Sequence, residues 1–211
     1  QISTIKGLIH PTTAIKEVLV VPDSLPLDVT YTLPSDATRL LSLDIEQERI
    51  ARTMQSGHRL VSGVAGSGKT LILLARAKAL ANRLNSPRVL ILCYNITLAA
   101  HLRSLLHSDT RNPQYKQSIE VFNFHEWAKS VLGRLPNPKE YPPAAYDPLL
   151  GAQLLSQLQS LPIDRRWDAV LVDEAHTFDQ SWFPCCVAAL KDREDGDLLI
   201  VSDRNQRLYH R

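Results

Sequence analysis

The amino-acid sequence predicts an α/β fold: a mainly parallel sheet flanked by helices, plus a small β-rich N-terminal segment. Three observations carry this expectation. Apolar runs such as Val89-Leu90-Ile91-Leu92 and Ala169-Val170-Leu171-Val172 read as strands buried on both faces. From residue 59 onward such runs alternate with helical patterns, as in βαβ units. The first forty or so residues lack that alternation and are broken up by Pro22, Pro26 and Pro34.

Taken in order, Val18-Leu19-Val20-Val21 and Val29-Thr30-Tyr31-Thr32-Leu33 look like strands of an appendage, or of the tail of an upstream domain, spanning residues 1–41. A second unit starts at residue 42. Leu43–Ala51 reads as a short helix, with Leu43, Ile50 and Met54 at helical spacing. A strand follows at Arg59–Ser62, then a Gly-rich loop and a helix from about Thr70 to Leu84. The first half of that helix is apolar nearly all round, which predicts burial against a sheet. Arg88–Tyr94 holds the next strand and Thr97–Leu106 the next helix; His107–Gln117 is polar and loop-like. Ile119–Phe122 is a strand leading into a helix near Glu126–Leu132. Five prolines between Leu135 and Pro148 predict a loop or insertion. A helix near Leu149–Leu161 precedes the strand Ala169–Val172, which runs into Asp173-Glu174. Helix-like residues span Gln180–Leu190, where Pro184 fits only a first turn. Asp197–Asp203 is the last strand.

The bulk composition excludes more than it identifies. The chain has 211 residues, is 44% hydrophobic and carries a net charge of +2. That is enough for one large domain with a core, and it leaves any nucleic-acid contact to a local patch. The longest apolar runs are far short of a membrane span, so no membrane contact is expected. Three cysteines, two of them adjacent, make no disulfide framework and no metal-ligand spacing. They suit a reducing, cytoplasmic setting. A start at Gln1 and an end just after a strand-like run predict a piece of a longer polypeptide.

The most specific feature is Gly63-Val64-Ala65-Gly66-Ser67-Gly68-Lys69-Thr70, which fits G-x-x-x-x-G-K-[ST] at every fixed position. Glycines let the backbone curl so that several N–H groups face one anion, and the following helix adds its positive dipole end. In such a loop Lys69 reaches the β/γ-phosphates and the Thr70 hydroxyl sits on Mg²⁺. The apolar strand ending at Asp173-Glu174 supplies a second motif. Asp173 is placed to hold the metal and Glu174 to polarise an attacking water. In parallel sheets ligands sit at the carboxyl ends of strands, where the loop, Asp173-Glu174 and Asp203 all fall. Gln206 follows the last strand, and a neutral amide there can bond both a phosphate oxygen and a water.

Taken together, these motifs resemble the first RecA-like domain of superfamily 1 helicases of the UvrD/Rep type. The resemblance covers residues 42–211. Residues 43–51 resemble that family's adenine-reading motif, with Gln47 as the matching glutamine. Residues 90–95 with Leu98-Ala99-Ala100, and Val121–His125, are similar to segments that lie near single-stranded DNA. Val172–His176 and Val201–Tyr209 resemble the second and third motifs. The resemblance implies ATP and Mg²⁺ as cofactors and a RecA-like P-loop NTPase fold. Lys69, Glu174 and Gln206 would be the catalytic residues. Gln47 and the loop residues Gly63, Ala65, Gly66, Ser67, Gly68, Lys69 and Thr70 would bind the nucleotide, and Thr70 and Asp173 would hold the metal. It further implies single-stranded or partly duplex DNA as a partner, contacted by Tyr94, Asn95, Phe124, His125 and Tyr209. A second RecA-like domain would complete the site with an arginine. Some members carry a nuclease-related (NERD) domain upstream, which offers an origin for residues 1–33.

One departure is internal: the family has Gln-Asp where this chain has His176-Thr177, which bears on coupling between nucleotide and DNA. The residues themselves leave two other readings open, a different P-loop NTPase switch and a RecA-like binding module without turnover. Tyr94, Phe124 and Trp127 have rings that could stack on bases or pack in a core, and helical spacing favours the core for Trp127. Cys185-Cys186, beside Trp182 and Phe183, read as buried thiols. Arg76, Lys78, Arg83 and Arg88 read as a solvated face.

Overall fold

The structure, a computed structural model, describes residues 17–20 (backbone), 49–64, 66–83, 87–110 and 112–203. Among these, six strands form one sheet: β1 (Glu17–Val20), β2 (His58–Gly63), β3 (Val89–Cys93), β4 (Ile119–Asn123), β5 (Ala169–Val172) and β6 (Asp197–Asp203). Their order is β1-β2-β6-β5-β3-β4, and every pairing is parallel. The expected α/β architecture is therefore the observed one. The strand expected near Val18–Val21 is β1, and it pairs with β2 at the edge of the sheet. The second N-terminal strand expected at Val29–Leu33 lies outside the described residues.

Alternating side chains of the strands from β2 to β6 feed two separate cores. Leu60, Leu90, Leu92, Val170, Val172, Leu198 and Ile200 face one side. Val61, Val89, Ile91, Leu171, Leu199 and Val201 face the other. The first side is covered by α4 (Phe124–Leu132), α5 (Pro143–Ser160) and α6 (Phe183–Ala188). The second is covered by α1 (Lys69–Arg83), α2 (Ile96–His107) and the short α3 (Tyr115–Ser118). Helical residues 49–53 join that second layer through Ala51 and Met54. Strands with both faces covered must be apolar throughout, which is why β3 and β5 read as unbroken hydrophobic runs.

Three expectations require correction. The proline-rich stretch is not all loop: α5 begins at Pro143, six residues before Leu149, and Pro148 lies inside it. Pro143 occupies a first-turn position where its missing N–H costs nothing. Around Pro148 the helix is held by tertiary donors. The carbonyl of Asp147 accepts from Trp182 Nε1 at 3.1 Å and Ser181 Oγ at 3.3 Å, and that of Gly151 from Cys185 Sγ at 3.2 Å. Within the expected polar loop 107–117, Tyr115 starts the helical turn α3 and buries its ring.

The third correction concerns the arginines. Arg76 is 1% exposed, and its guanidinium donates to the carbonyls of Ala51, Met54 and Gln55 and to Asp197 Oδ1. Lys78 pairs with Asp109, and Arg83 donates to the Arg52 carbonyl at 2.6 Å. Arg88 binds Glu120 and the Arg165 carbonyl and lies over the Trp167 ring. Arg76 alone leaves the expected solvated face; Arg83 is exposed there, and Lys78 and Arg88 are partly exposed while also tying elements together.

The three cysteines are buried, as their apolar surroundings predict, and burial pushes the thiols of Cys93 and Cys185 up to about 12. Gly151 lies where α5 packs on the 3₁₀ turn Gln180–Trp182: a Cβ there would overlap the Ser181 side chain. Gly151→Ala should therefore destabilise the fold by about 1–3 kcal/mol through overpacking, measured by urea unfolding. An unchanged midpoint would show that Ser181 yields without cost.

Candidate functional site

All six strands point the same way, so their carboxyl ends share one edge. There β6 lies between β2 and β5, with Gly63 level with Asp203 and Val172 level with Ile200. The phosphate loop leaves β2 on one side of β6, and the paired carboxylates leave β5 on the other. Gly66 and Gly68 have φ of 77° and 78°, a left-handed region that side chains disfavour. These two positions let the loop double back into α1. The N–H groups of Leu71 and Ile72 both reach the Gly68 carbonyl, so the helix begins directly from the loop.

Lys69 folds its ammonium back into this curve. Its Nζ donates to the carbonyls of Gly63 at 3.0 Å and Val64 at 2.5 Å. A cation is thereby held inside a loop whose backbone geometry suits an anion. The Thr70 hydroxyl donates to Asp173 Oδ2 at 2.8 Å, crossing the end of β6. The two residues expected to share a metal are thus brought together. Asp173 is 2% exposed, and its other oxygen accepts from the Glu174 N–H at 2.9 Å. Burial raises its carboxyl above the ordinary range; the Thr70 and Glu174 hydrogen bonds and the Lys69 charge oppose that shift.

Glu174 differs from its neighbour in every respect. Its side chain is exposed. Its backbone is left-handed (φ 48°, ψ 42°), the sole non-glycine of positive φ among the described residues. Backbone strain of this kind gathers at functional positions. Here it turns the carboxylate out of the strand's line while the next three residues form a 3₁₀ turn against β6. In that turn His176 buries Nδ1 with no hydrogen-bond partner among the described residues. The donor set suits Mg²⁺ and a triphosphate: one hydroxyl, one buried carboxylate, one ammonium and a glycine-curled backbone. No group of three or more His, Cys, Asp or Glu among the described residues is arranged to hold a metal by protein ligands alone. Mg²⁺ commonly takes few protein ligands and completes its shell with phosphate and water.

The candidate nucleic-acid residues divide. Tyr94, at the end of β3, is 43% exposed and stacks on Trp182 (centroids 6.2 Å apart, planes at 20°). Asn95 is exposed, but its side chain caps α2 by accepting from the N–H groups of Thr97 and Leu98. His125 is half-buried, 3.9 Å from Asp147; burial lowers its pKa and Asp147 opposes that shift. Phe124 requires correction: it is wholly buried and stacks on Trp182 at 3.8 Å, so its ring is a core element. Trp127 is also fully buried. Gln47, Ala65, Gln206 and Tyr209 lie outside the described residues. Sequence reasoning missed Trp182, the ring shared by Phe124, Tyr94 and Phe178. It also missed Arg76, although Leu73, Arg76, Ala77 and Leu80 fall at helical spacing on one buried stripe.

The raised pKa of Asp173 has a consequence for stability. As pH falls, the folded chain takes up a proton before the unfolded chain does. Stability from this group is therefore greatest below the unfolded value near 3.8 and is lost as pH rises through the raised folded value. The melting temperature of the nucleotide-free chain should therefore lose this group's contribution as pH rises from about 4 toward neutrality, and Asp173→Asn, which does not titrate, should lack that part of the pH dependence. Calorimetry across that range checks it; an identical pH dependence in the two chains would contradict it.

A family profile described as an AAA domain matches residues 46–211. No curated protein matches the sequence. The profile takes in every described element from the helix at 49–53 to β6, and with it the phosphate loop, Asp173 and Glu174. The chain belongs to the AAA domain family and is a nucleotide-binding domain of the P-loop helicase type.

Proposed function

We propose that the chain is the ATP-binding domain of a cytoplasmic, ATP-dependent DNA helicase or translocase of the UvrD/Rep type. It would act with a second RecA-like domain and move on single-stranded or partly duplex DNA. The observation that most supports this is the Thr70–Asp173 hydrogen bond, which joins the phosphate loop to the carboxylate strand, with Glu174 exposed beside it.

Each residue then has a task. The loop amides and Lys69 bind the β/γ-phosphates, so the ammonium leaves the Gly63 and Val64 carbonyls for the anion. Thr70 and Asp173 hold Mg²⁺, which when bound neutralises charge on the triphosphate. The ionised form of Asp173 is favoured once a cation lies against it. Glu174 orients the attacking water and takes its proton. Gln206 senses the γ-phosphate, and Gln47 reads the adenine. His176 takes the place of the family's coupling glutamine; its buried, unpartnered Nδ1 and its place against β6 support that role. Tyr94 offers the exposed ring to a base, with Asn95, His125 and Tyr209 around it.

Two experiments test this reading. In a chain that includes the second domain, Glu174→Gln should cut DNA-stimulated ATP turnover by about 10²–10⁴-fold while leaving ATP binding intact. Lys69→Ala should abolish both. Hydrolysis indifferent to DNA would favour a different P-loop switch, and no hydrolysis in the unmutated protein would favour a binding module. Residues 1–211 alone should bind ATP weakly and should not unwind duplex DNA, because the completing arginine supplies orders of magnitude in rate. Robust DNA-stimulated hydrolysis by this chain would overturn that expectation.

A further inference from the structure

We infer that Thr177 is a positioning residue: its hydroxyl and its N–H together hold Glu174 in the left-handed conformation that sets the direction of the Glu174 carboxylate for activating water. The inference rests on the role given to Glu174 above.

Glu174 is exposed, and its backbone, at φ 48° and ψ 42°, lies in a region that few residues other than glycine enter without cost. Such a conformation persists only where its surroundings over-determine it. Both backbone polar groups of Glu174 are held. Its N–H donates to Asp173 Oδ1 at 2.9 Å. Its carbonyl accepts twice from Thr177, from the N–H at 2.9 Å and from Oγ1 at 2.7 Å. The first of these is the ordinary bond of a 3₁₀ turn. The second is additional, and with it both lone pairs of the carbonyl oxygen are occupied. A β-branched side chain is stiff at χ1, so the Thr177 hydroxyl stays aimed at that carbonyl.

The rest of the turn is fastened to the core, which gives this clamp a fixed base. Ala175 is wholly buried. Phe178, 3% exposed, donates its N–H to the Ala175 carbonyl at 3.2 Å and sets its ring edge-on against Trp182, with centroids 5.5 Å apart. Thr177 itself is exposed, like Glu174. Its side chain therefore adds little to the core, and its hydrogen bond falls on the strained residue. The Cα–Cβ direction follows the backbone. Were Glu174 to relax to extended backbone, its carboxylate would swing with it, and a misplacement of about 1 Å can cost about 10²-fold in rate.

The test pairs turnover, read in a chain that includes the second domain, with NMR of residues 1–211 free of nucleotide. Thr177→Val removes the hydroxyl and keeps the shape; at an exposed position it should fold as the unmutated chain does. It should lower kcat about tenfold and leave KM for ATP within about twofold. Thr177→Ser keeps a hydroxyl donor and should hold kcat within about twofold. In a Glu174→Gln background, Thr177→Val should cause no further loss, because the residue it positions no longer takes the proton. The Cα and Cβ chemical shifts of Glu174 should report a left-handed backbone in the unmutated chain and in Thr177→Ser, and should move toward extended values in Thr177→Val. An unchanged kcat in Thr177→Val, an equal loss in Thr177→Ser, an equal loss in the Glu174→Gln background, or left-handed shifts retained in Thr177→Val would each overturn the inference. No hydrolysis by the unmutated protein would instead sink the role given to Glu174, and the shifts alone would then decide whether Thr177 holds that residue.

Discussion

A parallel sheet covered by helices on both faces leaves no room for chemistry along its strands. Nearly every side chain between the ends of β3 and β5 must be apolar, since an unpaired polar group there would cost about 1–3 kcal/mol or more. Polar function is therefore confined to the two edges where strands stop. One edge carries Arg88, Glu120, Asp168 and Lys191, whose ion pairs bind helix, loop and strand ends together. The other carries the phosphate loop, Asp173 and Glu174. The same constraint that makes the core so uniform is what concentrates the charges.

At the functional edge, adjacent carboxylates have opposite environments. Asp173 is buried, raised in pKa and held by Thr70 and by the next residue's N–H. Glu174 is turned outward by a strained backbone. One peptide unit thus separates a group suited to holding a cation from a group suited to meeting water. Behind them, Phe178 and Trp182 connect the turn after Glu174 to the ring of Tyr94 at the next strand end.

The sheet, its parallel sense and most element boundaries were legible in the sequence because burial on both faces leaves an unmistakable apolar run. The phosphate loop was legible because its glycines and lysine are demanded by local geometry. What escaped was set by tertiary contact. Pro148 looked like a breaker, yet it lies in a helix that Trp182, Ser181 and Cys185 anchor from a distant segment through the carbonyls of Asp147 and Gly151. Arg76 looked like a solvent cation, since charge is the stronger cue when a residue is read alone. Its position on the stripe of Leu73, Ala77 and Leu80 was the signal that outweighed it. Phe124 looked like a platform for a base because nothing nearby in sequence announces that Trp182 covers it.

The placement of β1 reaches beyond the site. It lies outside the stretch matched by the family profile, yet it runs alongside β2 for its full length of four residues. Without it the strand that feeds the phosphate loop would be the rim of the sheet, with a row of backbone donors and acceptors open to solvent. Such a rim invites pairing with other chains. A domain trimmed to the profile's starting residue would therefore present the six-residue β2 as its rim in place of the four-residue β1, a longer edge for another chain to pair with. Its solubility, rather than its affinity for nucleotide, would be the first property to suffer.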